Sequence, residues 1–216
     1  MKRLLLVTCG AAFCLSAAAT EIGEGIRTGQ RVLLQKTRAS DNAEAVQIIT
    51  ASFEHLLAVR GAGQPVTLRV TSDSASGEAM LGAVVMVDES IAALPEDERL
   101  FEIAHELGHI ELAHLERQIA IYRQYVGASE DDVYIARTLN AHALEFSPAL
   151  QALELEADAY GQRLLLRIPD AEQGGIHTFE RNGYVRADFS HPSSHERLLR
   201  LLTLLPVPPD LAALAH

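Results

Sequence analysis

The sequence predicts an α+β fold, mostly helical, with a small sheet ahead of a central helix. Apolar residues recur at helical spacing along most of the chain, and two short β-branched runs stand together in its first half. Glycine and proline punctuate the segments between them. The chain has 216 residues, 48% hydrophobic and 22% charged, which excludes a wholly disordered polypeptide and suits one domain. The formal charge is −11 and there is no run of Lys or Arg, so no nucleic-acid partner is expected. Solubility is the simple reading of that charge.

The first element, residues 1–19, reads as a secretory signal peptide. Lys2 and Arg3 form its basic start, Leu4 to Leu15 its apolar core, and Ala17-Ala18-Ala19 a small-residue cleavage site. The mature chain is expected to begin at Thr20 and to be exported, periplasmic or secreted, as a single domain over 20–216. The apolar stretch falls short of the roughly 20 residues that cross a bilayer, which disfavours a retained anchor. No later segment is long and apolar enough, so no integral membrane segment is expected after signal removal. Both cysteines, Cys9 and Cys14, lie in the signal, and Thr8 and Phe13 before them fit lipid attachment poorly. The mature chain then has no cysteine, and any metal site must use His and carboxylates.

An amphipathic helix is predicted over 42–60, with Val46, Ile49, Phe53 and Leu56 on one face and Gly61 as its stop. Residues 65–71 alternate as a strand, a Ser/Gly-rich turn follows over 72–77, and 80–88 reads as a second strand. Pro95 opens the central helix, with Glu96, Asp97 and Glu98 in its first turn, where negative charge suits the helix dipole. That helix is expected to run to about Tyr125. Further helices are predicted over 131–145, over 148–167 with Pro148 at the start, near 170–181, and over 192–205. Pro206, Pro208 and Pro209 close the folded part, and the tail to His216 is expected to be loosely held.

The central helix carries His105-Glu106-Leu107-Gly108-His109, an HExxH pattern. Residues four apart share a helix face, so both imidazoles can reach one metal, and Glu106 is placed to take a proton from water. Neutral imidazoles with a carboxylate suit zinc. Apolar neighbours on either side imply a buried helix, in which polar groups need partners. A third ligand is available in Glu154-Leu155-Glu156-Ala157-Asp158. Glu154 and Asp158 share a face, whereas Glu156 points elsewhere. One of that pair can bind metal while the other accepts a hydrogen bond from a ligand imidazole.

These blocks, followed by His191-Pro192 and Arg197, resemble the M48 peptidases. Those are zinc metallopeptidases related to the CAAX prenyl endopeptidases and to bacterial periplasmic and inner-membrane quality-control proteases. The three blocks occur in family order over about 95–205, and His114 fits the usual continuation. The resemblance implies a zincin-like metallopeptidase domain with one zinc held by His105, His109 and Glu154. It implies Glu106 as general base and Asp158 as partner of a ligand histidine. It places His191 and Arg197 beside the active site, where a donor would steady the oxyanion or where His191 would cap zinc in a latent state. His195 lies outside the motif. The transmembrane helices and helical-repeat tail common in the family are absent from this sequence, which disfavours prenylated membrane substrates.

The expected function is an exported zinc endopeptidase acting on extended or unfolded polypeptides. Substrate would pair with the exposed edge of strand 80–88. The alternative is a latent or catalytically quiet zinc protein that binds unfolded clients or an assembly partner. A structural zinc site is disfavoured, because such sites use four protein ligands and favour cysteine. The sequence does not fix the oligomeric state.

Overall fold

The computed structural model describes residues 10–73, 77–127 and 131–205. The basic start of the expected export signal and the tail from Pro206 onward lie outside the described residues.

The first element, α1 (Gly10–Lys36), runs without a break past Thr20, and its second half is not anticipated by the sequence. Among the described side chains Ile22 and Ile26 mark its apolar buried face, too sparse a stripe to read as a period. They pack on Ile119 and Leu115 of a later helix, and Arg27 pairs with Glu116 beside them. Among the described residues no helix is long and apolar enough to cross a membrane.

The second helix, α2 (Ala43–Arg60), matches the expected span. Asn42 caps it by accepting a hydrogen bond from the Ala45 N–H, and Gly61 ends it at φ 79°. It buries Ile49, Phe53 and Leu56.

The sheet has the order β1-β3-β2, from β1 (Thr67–Thr71), β2 (Glu78–Met80) and β3 (Val84–Asp88). The single strand expected over 80–88 is therefore corrected to parts of a hairpin. Leu81 and Gly82 both have left-handed backbones, φ 54° and 67°, and fold β2 back antiparallel onto β3. Because β3 also pairs in parallel with β1, it is the central strand. Among the described residues the free edge on that side belongs to β2.

A 3₁₀ turn over Glu89–Ala93 leads to α3 (Glu96–Glu111), which starts after Pro95 as expected. It stops fourteen residues short of the expected Tyr125. Ala113 takes a left-handed conformation at φ 52°, and a separate helix, α4 (His114–Val126), leaves at a new angle. A non-glycine residue there costs about 1–2 kcal/mol. Burial of His114 and Ile119 accompanies that kink.

Beyond it come α5 (Asp132–Ala141), α6 (Ala143–Leu165), α7 (Gly174–Asn182) and α8 (Ser194–Leu202). Pro148 lies inside α6 and does not begin it. Its ring withdraws a hydrogen bond from the Leu144 carbonyl, and Leu144 is one of the most exposed residues, on a wet side of the helix.

The core is built around α3. Phe101, Ile103, Leu107 and Ile110 are fully buried among α2, the sheet, α6 and α7. Small residues let α3 and α6 touch: a Cβ on Gly108 would sit 3.0 Å from the Ala157 carbonyl oxygen. One on Gly161 would sit 3.2 Å from the His105 nitrogen. This contact places the acids of α6 against the histidines of α3.

Candidate metal centre

On α3, His105 and His109 present their Nε2 atoms 3.1 Å apart. Glu154 on α6 reaches both: Oε2 lies 3.4 Å from His105 Nε2 and Oε1 3.4 Å from His109 Nε2. One ligand atom from each of the three lies within 4.8 Å of the others. This donor set can coordinate a metal ion.

The Nδ1 atoms face away from this centre and each has a partner. His105 Nδ1 lies 2.9 Å from Asp158 Oδ1. Asp158 is fully buried and receives two bonds from Arg197, Nε to Oδ2 at 2.7 Å and Nη2 to Oδ1 at 2.6 Å. The Arg197 guanidinium also stacks 4.7 Å over the Phe179 ring. His109 Nδ1 lies 3.0 Å from His114 Nδ1, and the far side of His114 faces Glu156 at 3.5 Å. Arg117 in turn holds Glu156, with Nη2 2.9 Å from Oε1. Partners on Nδ1 leave Nε2 of each ring for a metal, the arrangement in which imidazole ligands bind best. The donor set therefore fits a bound metal ion.

Electrostatics agree with that geometry. Burial opposes a charge on His105, yet its bonds to Asp158 and Glu154 outweigh it and hold the ring well above the usual histidine range. Burial and the neighbouring His105 charge push His109 well below it. Glu154 resists burial through its bond to His105 and the charges of both rings, and stays ionised. Without a metal, His105 is the ring of the two that its carboxylate neighbours keep protonated.

Glu106 occupies the next position on α3, buried and facing the cleft. Burial pushes its carboxyl up to about 7; Glu154, Glu102 and Glu78 add to the push, against the pull of His105. Gly77 lies flat against it, since a Cβ there would come within 3.0 Å of Oε1. The cleft, about 360 Å³, runs from β2 past the triad to Phe189 and His191. Its strand wall is Glu78 and Ala79 of β2, not the central strand.

His191 is exposed at the rim, with Nε2 3.8 Å from Glu154 Oε2 and Nδ1 3.2 Å from Asp188. The structure thus brings together His105, Glu106, His109, Glu154, Asp158, His191 and Arg197. Within this group Arg197 sits behind Asp158, with Nη2 3.4 Å from His105 Nδ1. His195 is exposed on α8. No sequence pattern assigns a role to His114, Arg117 or Gly77. The only signal for them was the spacing of His114 from His109.

A small sheet beside an HExxH helix, with a glutamate from a following helix completing the triad, is consistent with a gluzincin-type site. The model of Peptidase family M48 matches residues 49–205, well over half the chain, and the chain belongs to that family. The matched region begins within α2, so α1 lies outside it. No curated protein matches the sequence.

Proposed function

We propose that this chain is an exported zinc endopeptidase that cuts extended or unfolded polypeptides. One observation carries the reading: two imidazole Nε2 atoms and a carboxylate converge in an open cleft, with the buried Glu106 beside them. His105, His109 and Glu154 would hold one zinc, and three protein ligands leave a position for water or substrate. When bound, zinc supplies the Lewis acid that polarises the scissile carbonyl and acidifies water.

The chain's own residues do the rest. A substrate strand adds to the free edge of β2, so recognition runs through backbone hydrogen bonds and tolerates many sequences. Glu106 takes the proton of the attacking water and passes it to the leaving amine. Its raised affinity for protons suits both halves of that exchange. Asp158, clamped by Arg197, fixes the tautomer and direction of His105, and His114 does the same for His109. In this reading Arg197 acts through Asp158, and His191 is the side chain nearest the substrate carbonyl. Export rests on the signal-like sequence of residues 1–19.

A second reading has one observation of its own. His191 Nε2 stands close enough to Glu154 to share its centre, as a capping ligand of a latent enzyme or a quiet binding protein would. The zinc-loaded protein distinguishes the two on an unfolded reporter. Cleavage by the wild type, lost in Glu106→Gln with zinc retained, supports the peptidase. A silent wild type that His191→Ala switches on supports latency, and silence in both supports a binding protein.

A further inference from the structure

A second cavity of about 360 Å³ adjoins the triad, sharing Gly77, His105, Glu106, Glu154 and His191 with the main cleft. Its sides are apolar, from Ile91, Leu94, Phe101 and Phe179. Set into these walls are Glu102 of α3 and Thr178 of α7.

Glu98, Glu102 and Glu106 fall four apart along one face of α3. Glu98 is paired with Arg181, and Glu106 stands at the metal centre. The charge of Arg197 in the same wall is spent on Asp158. Glu102 is half-buried and makes no direct hydrogen bond or ion pair, feeling the charges of Arg197 and His105 only from a distance. Thr178 is 2% exposed, and its Oγ1 has no hydrogen-bond partner. Leaving a buried hydroxyl unsatisfied, and a carboxylate without a direct partner beside apolar side chains, is costly unless something binds there.

From this we infer that the cavity is a subsite for a basic substrate side chain, arginine above all, and that Glu102 selects it. The inference rests on the peptidase reading above and adds a charge preference to it. The apolar walls fit the methylene stem. Glu102 meets the cation, and a guanidinium has donors to spare for Thr178 Oγ1. Lysine meets the charge but offers a compact head with a less suitable fork. An acidic side chain would face Glu102, and the nearest guanidinium, Arg197, is already held by Asp158.

Extended peptides carrying arginine, norleucine or glutamate on either side of one bond test this, with cut sites read by mass spectrometry. Zinc-loaded wild type should favour arginine over norleucine on one side by at least about tenfold. Glu102→Gln should bring that ratio near one, and Glu102→Lys should turn the preference toward glutamate. Thr178→Val should lower the arginine ratio alone and serves if a Glu102 variant does not fold. Cleavage without a basic preference, or a preference that survives Glu102→Gln, overturns the assignment and leaves the peptidase intact. If the wild type cuts nothing, the peptidase reading fails, and equilibrium binding of the same peptides decides the pocket. Tighter arginine binding lost in Glu102→Gln upholds it, and equal binding of all three overturns it.

Discussion

His105 illustrates how the centre is set at the residue scale. One ring nitrogen is claimed by a buried carboxylate, itself held by a guanidinium, so the other has one direction to point. Asp158→Asn should weaken zinc binding about 10–100-fold, read by competition with a chromogenic chelator. Asp158→Ala should also destabilise the fold by about 3–5 kcal/mol, because Arg197 would be left buried without its anion. The proton held by the metal-free centre has a consequence with a definite sign. His105 is raised from its ordinary value of 6.5, so the stability it contributes is whole below that pH and fades as pH climbs through the raised value. His109 is lowered, so the neutral ring costs stability as pH falls from 6.5 toward its lowered value. The metal-free protein should therefore melt at its highest temperature between these limbs, near neutral pH. Zinc held by His105 would displace the proton of that ring, so binding at pH 7.5 should release about one proton per chain. Calorimetry in buffers of different ionisation heat measures that directly.

At the scale of elements, the site depends on two helices lying closer than ordinary side chains allow. Gly108 and Gly161 meet the opposing backbone from either side of the contact. Gly161→Ala should push α6 from α3, destabilise the protein by about 1–3 kcal/mol and weaken zinc binding, since the triad spans both helices. A melting curve and a zinc titration on one preparation check both effects. Much of this was legible from sequence because it is local. His105 and His109, or Glu154 and Asp158, share a face by helical spacing alone, and α2 announces itself with the spacing of Val46, Ile49, Phe53 and Leu56 and with Gly61. What was not legible depends on single backbone angles or on distant partners. The left-handed Ala113 ends α3 early and returns His114 to His109. Leu81 and Gly82 turn one apparent strand into a hairpin and hand the cleft edge to β2. Nothing in the spacing of Arg197 shows that it clamps Asp158, or that Glu102 lacks the partner that Glu98 has.

The whole molecule joins this metal centre to an N-terminal helix that lies outside the family match. Ile22 packs on α4, and the Gln30 side chain accepts a hydrogen bond from the Leu81 N–H at 2.8 Å, making α1 a wall of the main cleft. Removing residues 1–19 spares these contacts and should leave the melting temperature unchanged. Removing residues 1–36 exposes Ile119 and frees the β2 turn, and should lower it measurably. The central claim is that the convergent triad and Glu106 form a working hydrolytic site. Its most direct test is zinc-loaded protein from Thr20 onward on an unfolded reporter, with Glu106→Gln alongside. The account predicts cleavage by wild type that chelator abolishes, and at least a 10²-fold loss, of the order general-base catalysis supplies, in a mutant that still binds zinc. Equal cleavage by both proteins would contradict it.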